Sequence, residues 1–501
     1  MRPSPAGLSP ARARGFWLGA SPVLFAAAVG LALPLASLFR LVPRSYNEGW
    51  NAYWAMIAWQ GGTLYQGPDS VLVNNYPPLS FYLVGLLGFF TGDNVVAGRL
   101  ISVAGLAVVT LAVHTWLKAS GASREACLAG ASFCVVTFAT FGQGYIATND
   151  PQLLGHAFVL GGLAVLWRYR FSPTALAAGA TLMLLGVFTK HLMFPLPIVT
   201  TVWIAIRHRR RMLTWLGVGV AGVVVGSALS VLCGGTRFFQ ELFSARAYSW
   251  TFGLSATLLD CGMLLPLLLL AALPYARALR SKEPLAEGPR FLLPYLLLSL
   301  CVGALASGGQ GIARNVFFDL VIAASLAAAL GLDEMLRLAP SPRLRGVSPG
   351  VAILILLGFG IAINALVTVP KTWRAIRALG AVEHDARQTM ELITRLGQGR
   401  AVCETLQLCY WARAPFTLDL FNYGQKLETG LLPVAPCVKA LREGAYPVLQ
   451  LESPEARTVR LGDCGAAIQQ YYIVIWRSRV GTVLVPRGTL DRARAVTGSL
   501  R

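Results

Sequence analysis

The sequence predicts an all-α polytopic membrane domain followed by a small α/β domain outside the membrane. Of 501 residues, 55% are hydrophobic and 13% are charged, and the mean hydropathy is +0.58. This exceeds what a soluble domain buries. Apolar segments of about 15 to 24 residues, close to the length that crosses a hydrocarbon core, recur from Phe16 to Pro370 and then stop. We therefore predict a membrane domain over residues 1–370 and a separate domain over residues 371–501.

About eleven segments are apolar enough to be membrane spans. They lie near residues 16–39, 98–117, 126–141, 151–167, 174–189, 193–206, 213–232, 257–276, 291–306, 316–332 and 350–369. Arginines precede the first span, and Lys and Arg recur in later loops on the same side, as in cytoplasmic loops. This predicts the cytoplasmic (inner) membrane, with the N-terminus inside and the C-terminal domain outside. It also explains the net charge of +20 without nucleic acid, for which a basic platform with interleaved aromatics is missing.

Residues 41–97 form one large predicted outer loop. Within it, the apolar run 79–90 is short for a crossing and is bracketed by Pro77-Pro78 and Gly92-Asp93. We expect an interfacial or re-entrant helix there.

The tail is expected to mix helix and strand. Residues 384–396 have helical spacing, whereas 471–476 and 482–485 have the composition of strands. The four cysteines of the tail are Cys403, Cys409, Cys437 and Cys464. They are consistent with two disulfides in an oxidising compartment, and three ways of pairing them are open.

Two carboxylates are the candidates for chemistry. Glu48 follows the first span, and Asp150 precedes Pro151 at the outer turn between the third and fourth spans. The alternatives are a solvated acid for Glu48, and a simple helix cap for Asp150. Acids at mid-bilayer cost about 3 kcal/mol each, and here the acids gather at the ends of the spans. We therefore expect the chemistry at the outer surface.

Cations on the same side are candidates for holding a phosphate. Lys190 and His191 join two short spans, so they are expected at headgroup depth, where a phosphate would suit them. A snorkelling lysine is the alternative reading. Outer loops also contain Arg237, Arg246 and Arg314. For Arg314, the alternative is a structural ion pair with Asp319.

Several motifs occur in a recognisable order. They are Asn47-Glu48, Gly61-Gly62-Thr63-Leu64-Tyr65, Pro77-Pro78-Leu79, Arg99-Leu100-Ile101-Ser102, Thr148-Asn149-Asp150, Thr189-Lys190 and the tail segment 406–422. This order resembles the GT-C glycosyltransferases, specifically the protein O-mannosyltransferase and aminoarabinose-transferase branch. Members usually carry Asp-Glu in the first loop. A role that rests on the first acid does not carry over to Asn47.

The resemblance implies transfer of a sugar from a polyprenyl-phosphate donor to a glycan, lipid or protein acceptor at the outer face, with inversion. Glu48 is then the expected general base, with Asp150 orienting the acceptor. The cations above would stabilise the leaving phosphate. The expected substrate groove contains Asn47, Trp50, Asn75, Tyr76 and Asp319. No cofactor is certain, and a divalent metal ion held by Glu48 and Asp150 stays open.

Two other classes of function remain as alternatives. A transporter or flippase would predict acids at mid-bilayer and a repeat between two halves, and the sequence shows neither. A non-catalytic envelope protein that binds glycans would need the spans only as an anchor, and eleven are more than an anchor requires.

Overall fold

The computed structural model describes residues 10–244, 246–338, 348–455 and 461–498. A bundle of helices carries the small C-terminal domain at one end. The helices are α1 (Pro10–Ala36), α2 (Tyr46–Trp59), α3 (Leu79–Thr91), α4 (Asn94–Ala119), α5 (Arg124–Thr140), α6 (Gln152–Arg168), α7 (Pro173–Thr189), α8 (Pro195–Arg207), α9 (Met212–Gly234), α10 (Phe238–Leu242), α11 (Trp250–Ser281), α12 (Glu287–Ala306), α13 (Phe318–Arg337), α14 (Pro349–Gly397), α15 (Leu406–Trp411), α16 (Leu420–Glu428) and α17 (Ala435–Arg442), with two more at Asp463–Tyr471 and Leu490–Gly498.

The bundle is that of a multi-pass membrane protein. In the described part of the chain, seven helices are long and apolar enough to cross a bilayer, namely α1, α4, α9, α11, α12, α13 with the turn before it, and α14. The remaining predicted spans correspond to α5, α6, α7 and α8, which have 13 to 17 residues. Eleven helices thus lie where spans were predicted, and the fold class is confirmed.

The centre of the bundle is α13. Each of residues 320–329 is at most 2% exposed, so the other helices surround this helix on all sides. Its alanines let neighbouring helices approach closely, as small residues do in membrane proteins. By contrast, α9 presents apolar side chains outward, with Val224 61% and Leu232 80% exposed. Lipid would cover that surface.

Helices α1 and α14 lie side by side and run in the same direction. A Cβ added at Gly19 would lie 2.8 Å from Leu354, and one at Gly358 would lie 2.3 Å from the Gly19 carbonyl oxygen. Glycine is therefore needed at this contact. Helix α14 continues without interruption through Pro370 to Gly397. The domain boundary predicted at residue 370 lies inside this helix, and the helical segment predicted at 384–396 is its last part.

Helix α3 has both ends on the side of the C-terminal domain. It follows Tyr76, and its far end is tied to α15, where Trp411 Nε1 donates to Asp93 Oδ2 at 3.0 Å and the Asn94 amide donates to the Tyr410 hydroxyl at 3.2 Å. Its 13 residues span about 20 Å, less than a hydrocarbon core. The helix therefore does not pass from one end of the bundle to the other.

The C-terminal domain is built on a small mixed sheet. Its strands are β1 (Val402–Cys403), β2 (Leu449–Leu451), β3 (Tyr472–Ser478) and β4 (Gly481–Pro486), in the order β1-β2-β4-β3. Strands β1 and β2 are parallel and the other pairs are antiparallel. The two longer strands match the predicted segments. Of the three possible disulfide pairings, the structure has Cys403 with Cys409 and Cys437 with Cys464.

Candidate functional site

Glu48 lies in the first turn of α2, where it is completely buried against Arg99 of α4. Arg99 donates from Nε to Glu48 Oε1 at 2.6 Å and from Nη2 to Glu48 Oε2 at 2.8 Å. Neither side chain has any exposed surface. This paired, two-bond geometry is the strongest form of an ion pair between Arg and a carboxylate. The remaining Arg99 donors bind carbonyl oxygens of the segment between α1 and α2, at Ser37, Leu38, Arg40 and Val42.

The same carboxylate accepts three further hydrogen bonds. The amide of Asn149 donates to Oε1 at 3.3 Å, the amide of Arg44 donates to Oε2 at 3.2 Å, and Gln407 Nε2 donates to Oε2 at 3.3 Å. A carboxylate offers about four lone-pair positions, so Glu48 is saturated. The predicted role of general base would require Glu48 to give up part of this network first.

Asp150 lies just before α6 and is buried too. Its Oδ1 accepts from the Gln152 amide at 2.9 Å, which is the helix cap that was the alternative reading, and from Lys190 Nζ at 3.4 Å. Its Oδ2 accepts one hydrogen bond, from Asn47 Nδ2 at 2.9 Å. Asp150 is thus both a cap and part of the predicted cluster, and Oδ2 has room for one more donor.

Glycines allow these two carboxylates to lie so close to their partners. A Cβ at Gly98 of α4 would lie 1.9 Å from Asn149 Oδ1, and one at Gly49 would lie 2.3 Å from the Gln407 amide nitrogen. The first contact brings the turn before α6 against α4. The second brings α15 of the C-terminal domain against α2.

Lys190 and His191 occupy the junction between α7 and α8, as predicted. Lys190 Nζ lies 4.6 Å from the centre of the Tyr76 ring, a distance typical of a cation–π contact. The Asn315 amide oxygen, in the orientation that satisfies its neighbours, accepts from Lys190 Nζ at 3.2 Å. Burial lowers the pKa of Lys190, but the neighbouring Asp150 and Tyr76 outweigh it, so that the pKa is raised. The positively charged form of Lys190 is therefore favoured.

His191 is held as a neutral ring. Burial lowers its pKa to about 4, with Lys190 and Arg246 acting in the same direction. Its Nδ1 is buried and has no hydrogen-bond partner among the residues that the structure describes. The His191 ring lies 6.4 Å, centre to centre, from Tyr76. An unpartnered ring nitrogen beside a cation is a ready position for an anionic ligand.

The alternative reading of Arg314 was an ion pair with Asp319, and the structure shows an ion pair with a different acid. Arg314 Nε pairs with Asp260 of α11 at 3.1 Å. Asp319 lies buried within α13, where it accepts from the Tyr295 hydroxyl at 2.6 Å. The two side chains thus contact different helices, Arg314 contacting α11 and Asp319 contacting α12, and Asp319 has no described contact with the other predicted groove residues.

The other outer arginines bind backbone. Arg237 donates to the Gln66 carbonyl oxygen at 3.1 Å, and Arg246 donates to that of Gln310 at 3.3 Å. Arg246 is near enough to His191 to lower its pKa. The contacts of Arg246 lie at the turn before the tenth span, at Gln310, whereas Arg237 contacts the first outer loop.

The first outer loop presents the predicted groove residues. Glu241 of α10 accepts from the amides of Gly67 and Asn74, and thus holds both arms of the loop. Asn75, 8% exposed, follows and leads to Tyr76 over Lys190. Trp50 Nε1 donates to the Val73 carbonyl oxygen at 3.2 Å. The loop thus brings Tyr76 to the cations, while Trp50 supports it from α2.

The C-terminal domain contributes side chains that sequence reasoning missed. Asp419 is buried and accepts from Trp50 Nε1 at 3.1 Å and from the Tyr46 hydroxyl. Burial raises the pKa of Asp419, and the hydrogen bond from Tyr46 opposes this. With Gln407 on Glu48, the domain thus holds the first turn of α2 in place. Both residues lie in the tail segment 406–422 that the family resemblance includes, but nothing in the sequence indicated that they contact α2.

Glu48 and Asp150 do not form a joint set of metal ligands. The oxygens of Glu48 face Arg99, and those of Asp150 face Asn47 and Lys190. Over the described ranges, no group of three or more His, Cys, Asp or Glu residues is arranged to hold a metal ion.

Solved structures with a similar fold are membrane glycosyltransferases. The chain is similar to ArnT from Cupriavidus metallidurans in the apo state, at 15% identity and a TM-score of 0.57, over 92% of this chain and 97% of that one. It is also similar to ArnT bound to undecaprenyl phosphate, at 14% identity and a TM-score of 0.56 with the same coverage. A third similar structure is the Archaeoglobus fulgidus oligosaccharyltransferase tethered with an acceptor peptide, at 12% identity and a TM-score of 0.50, over 95% of this chain and 74% of that one.

No family model and no curated protein matches the chain. The identities to the solved structures are low, so the likeness shows the fold. That fold is the GT-C fold, which confirms the fold that the motif resemblance implied.

Proposed function

We propose that the protein transfers a sugar from a polyprenyl-phosphate donor to an acceptor, with inversion, at the outer face of the cytoplasmic membrane. The observation that carries this proposal is a buried carboxylate with one free acceptor position, Asp150, beside a buried lysine and an unpartnered histidine nitrogen. Sugar transfer needs a proton acceptor next to cations that stabilise a leaving phosphate. Of the solved structures with this fold, one is bound to undecaprenyl phosphate and another is tethered with an acceptor peptide.

In this proposal, the role of base passes from Glu48 to Asp150. The acceptor hydroxyl or amine gives its proton to Asp150 Oδ2, and its freed electron pair attacks the anomeric carbon of the donor sugar. The bond from that carbon to the phosphate oxygen breaks on the opposite side, and polyprenyl phosphate leaves with the bonding electrons. Attack from the side opposite the leaving group inverts the anomeric centre.

The surrounding residues would bind the phosphate and hold Asp150 in position. Lys190 supplies the positive charge for the phosphate, and His191 Nδ1 offers it a further contact. Asn47 holds Asp150 Oδ2 in position. Glu48 acts as a positioning residue, because it fixes the Asn149 amide directly before Asp150.

The test is the variant Asp150→Asn. Asparagine still caps α6 but does not accept a proton, so we expect turnover to fall by about 10² to 10⁴. The unfolding temperature should fall as well, because Lys190 loses its buried counterion, so transfer is compared at a temperature where thermal unfolding shows both proteins to be folded. Transfer is measured in proteoliposomes with a panel of radiolabelled undecaprenyl-phosphate pentoses and hexoses.

The matched control is Asp93→Asn. Asp93 caps α4 as Asp150 caps α6, since its Oδ1 accepts from the Val95 amide at 2.7 Å, but it lies beside Trp411 instead of Lys190. Near-normal transfer by Asp150→Asn would remove Asp150 as the base. A wild-type protein that moves the intact donor across the bilayer without cleaving it would favour the transporter alternative.

A further inference from the structure

An apolar groove runs along the bundle between α1, α4 and α5, away from Lys190 and His191. Its volume is about 520 Å³, and it is open on the side that lipid would cover. Leu31 and Leu35 of α1 line it, together with Leu106, Ala107 and Leu111 of α4. A groove of this lining accepts hydrocarbon and excludes polar solutes.

The groove ends at Ile146, in the turn before Asp150. The carbonyl oxygens of Ile146 and Ala147 accept from Arg44 Nη1 at 2.7 and 2.6 Å. The end of the hydrocarbon groove is therefore next to a guanidinium group. The described contacts use only Nη1, and Nε and Nη2 have further N–H donors.

This guanidinium is a positive charge without a counterion. In the described parts of the chain, no carboxylate lies within ion-pair distance of the Arg44 side chain, and the nearby Glu48 is already paired with Arg99. Burial lowers the pKa of Arg44 to about 10, so the group is still charged at neutral pH. Arg44, Arg99 and Glu48 thus leave one net positive charge in a largely buried place, and buried charges normally have a partner of opposite sign.

We propose that the groove between α1, α4 and α5 binds one hydrocarbon chain of a membrane lipid, whose phosphate group neutralises Arg44. The groove accounts for the chain, and the uncompensated arginine accounts for the phosphate. The site is separate from the proposed donor position at Lys190. It does not depend on the proposed reaction, because an inactive protein with this structure would bind the same lipid.

The probe is phosphatidylglycerol with a diazirine in one acyl chain, mixed into phosphatidylcholine nanodiscs that contain the full-length protein. After irradiation, labelled peptides are mapped by mass spectrometry. We expect the label on peptides of α1, α4 and α5, and less label from a diacylglycerol that has the same diazirine but no phosphate.

Two variants separate the headgroup from the chain. Arg44→Gln should reduce labelling of these peptides by about tenfold, the effect of losing one charge-assisted contact, while Arg44→Lys should keep a larger share. Ala107→Phe should reduce it by filling the groove. The control is Ala228→Phe, since Ala228 is also an exposed alanine on a membrane-facing helix, but on α9.

The proposal is overturned if α9 is labelled as strongly as the groove, because ordinary surrounding lipid would label both. It is also overturned if Ala107→Phe leaves the labelling unchanged. Equal labelling by the phosphate-bearing and phosphate-free probes, or by Arg44→Gln and wild type, would remove the phosphate contact and with it the proposed site.

Discussion

The buried carboxylates of Glu48 and Asp150 differ in how many hydrogen bonds they accept and in how closely their cations approach. Glu48 has two hydrogen bonds from Arg99 and three from other groups, so all its acceptor positions are filled. Asp150 has a single, longer contact with Lys190 and keeps one position open. Both are equally buried. The difference shows that two equally buried acids can differ in the number of acceptor positions that their neighbours leave open, and the proposed base is the acid that keeps one.

Removing Arg99 should have the largest effect. Arg99→Met leaves Glu48 buried without its counterion, and breaking such a pair costs about 3–5 kcal/mol of unfolding free energy. The measurement is thermal unfolding of the purified protein in detergent. The double variant Arg99→Met, Glu48→Leu should recover part of the loss, because no buried charge is then left alone. A single variant as stable as wild type would show that the pair is not structural.

The second prediction concerns His191 and pH. The pKa of about 4 in the folded protein is below the ordinary value of about 6.5, so the unfolded chain binds more protons between these values. Stability should therefore rise as pH rises from 4 to 6.5, by at most about 3 kcal/mol from this group. His191→Gln should have a shallower pH profile of unfolding temperature than wild type.

The pH profile of the unfolding temperature can also be measured in the presence of undecaprenyl phosphate. If a phosphate binds next to His191, its negative charge favours the protonated ring, and the pH dependence of wild type should weaken when the lipid is added. Superimposable profiles of wild type and His191→Gln would show instead that the ring is not buried in solution.

A smaller loss of stability is expected when Lys426 of the C-terminal domain no longer binds the first outer loop. Lys426 donates to the carbonyl oxygens of Pro68 at 2.7 Å and Ser70 at 2.6 Å. Lys426→Met removes these contacts, which should cost about 2 kcal/mol and speed up amide hydrogen exchange in residues 66–74. Lys439→Met, at an exposed lysine of α17, is the control. Unchanged exchange in this segment would mean that Glu241 alone holds the loop.

The membrane helices could be predicted because their signal is local. A run of apolar residues has to be buried in lipid or protein wherever it lies, so length and composition placed eleven helices. Sequence could not show that α14 continues beyond residue 370. The apolar run ends at Pro370. A proline is nevertheless tolerated inside a membrane helix when neighbouring groups satisfy the backbone hydrogen bond that it removes.

The site was only partly predictable, because some of its contacts join residues that are distant in sequence. Asp150, Lys190 and Tyr76 lie together, and the predicted topology had placed all three in loops on the same side of the membrane. The partners of Glu48 are distant in sequence, and Gln407 comes from a different domain. One signal was available: an arginine near the start of an apolar helix, as Arg99 is, indicates a polar partner such as a buried acid or backbone carbonyl oxygens.

Helix α14 couples the two regions mechanically. Its 49 residues form a rod about 74 Å long, which is anchored by glycine contacts to α1 at one end and leads into the small sheet at the other. A change in bilayer thickness that tilts this rod also displaces the domain attached to it. That domain carries Gln407, whose side chain reaches Glu48, so one continuous helix joins the bundle to a partner of the buried acid.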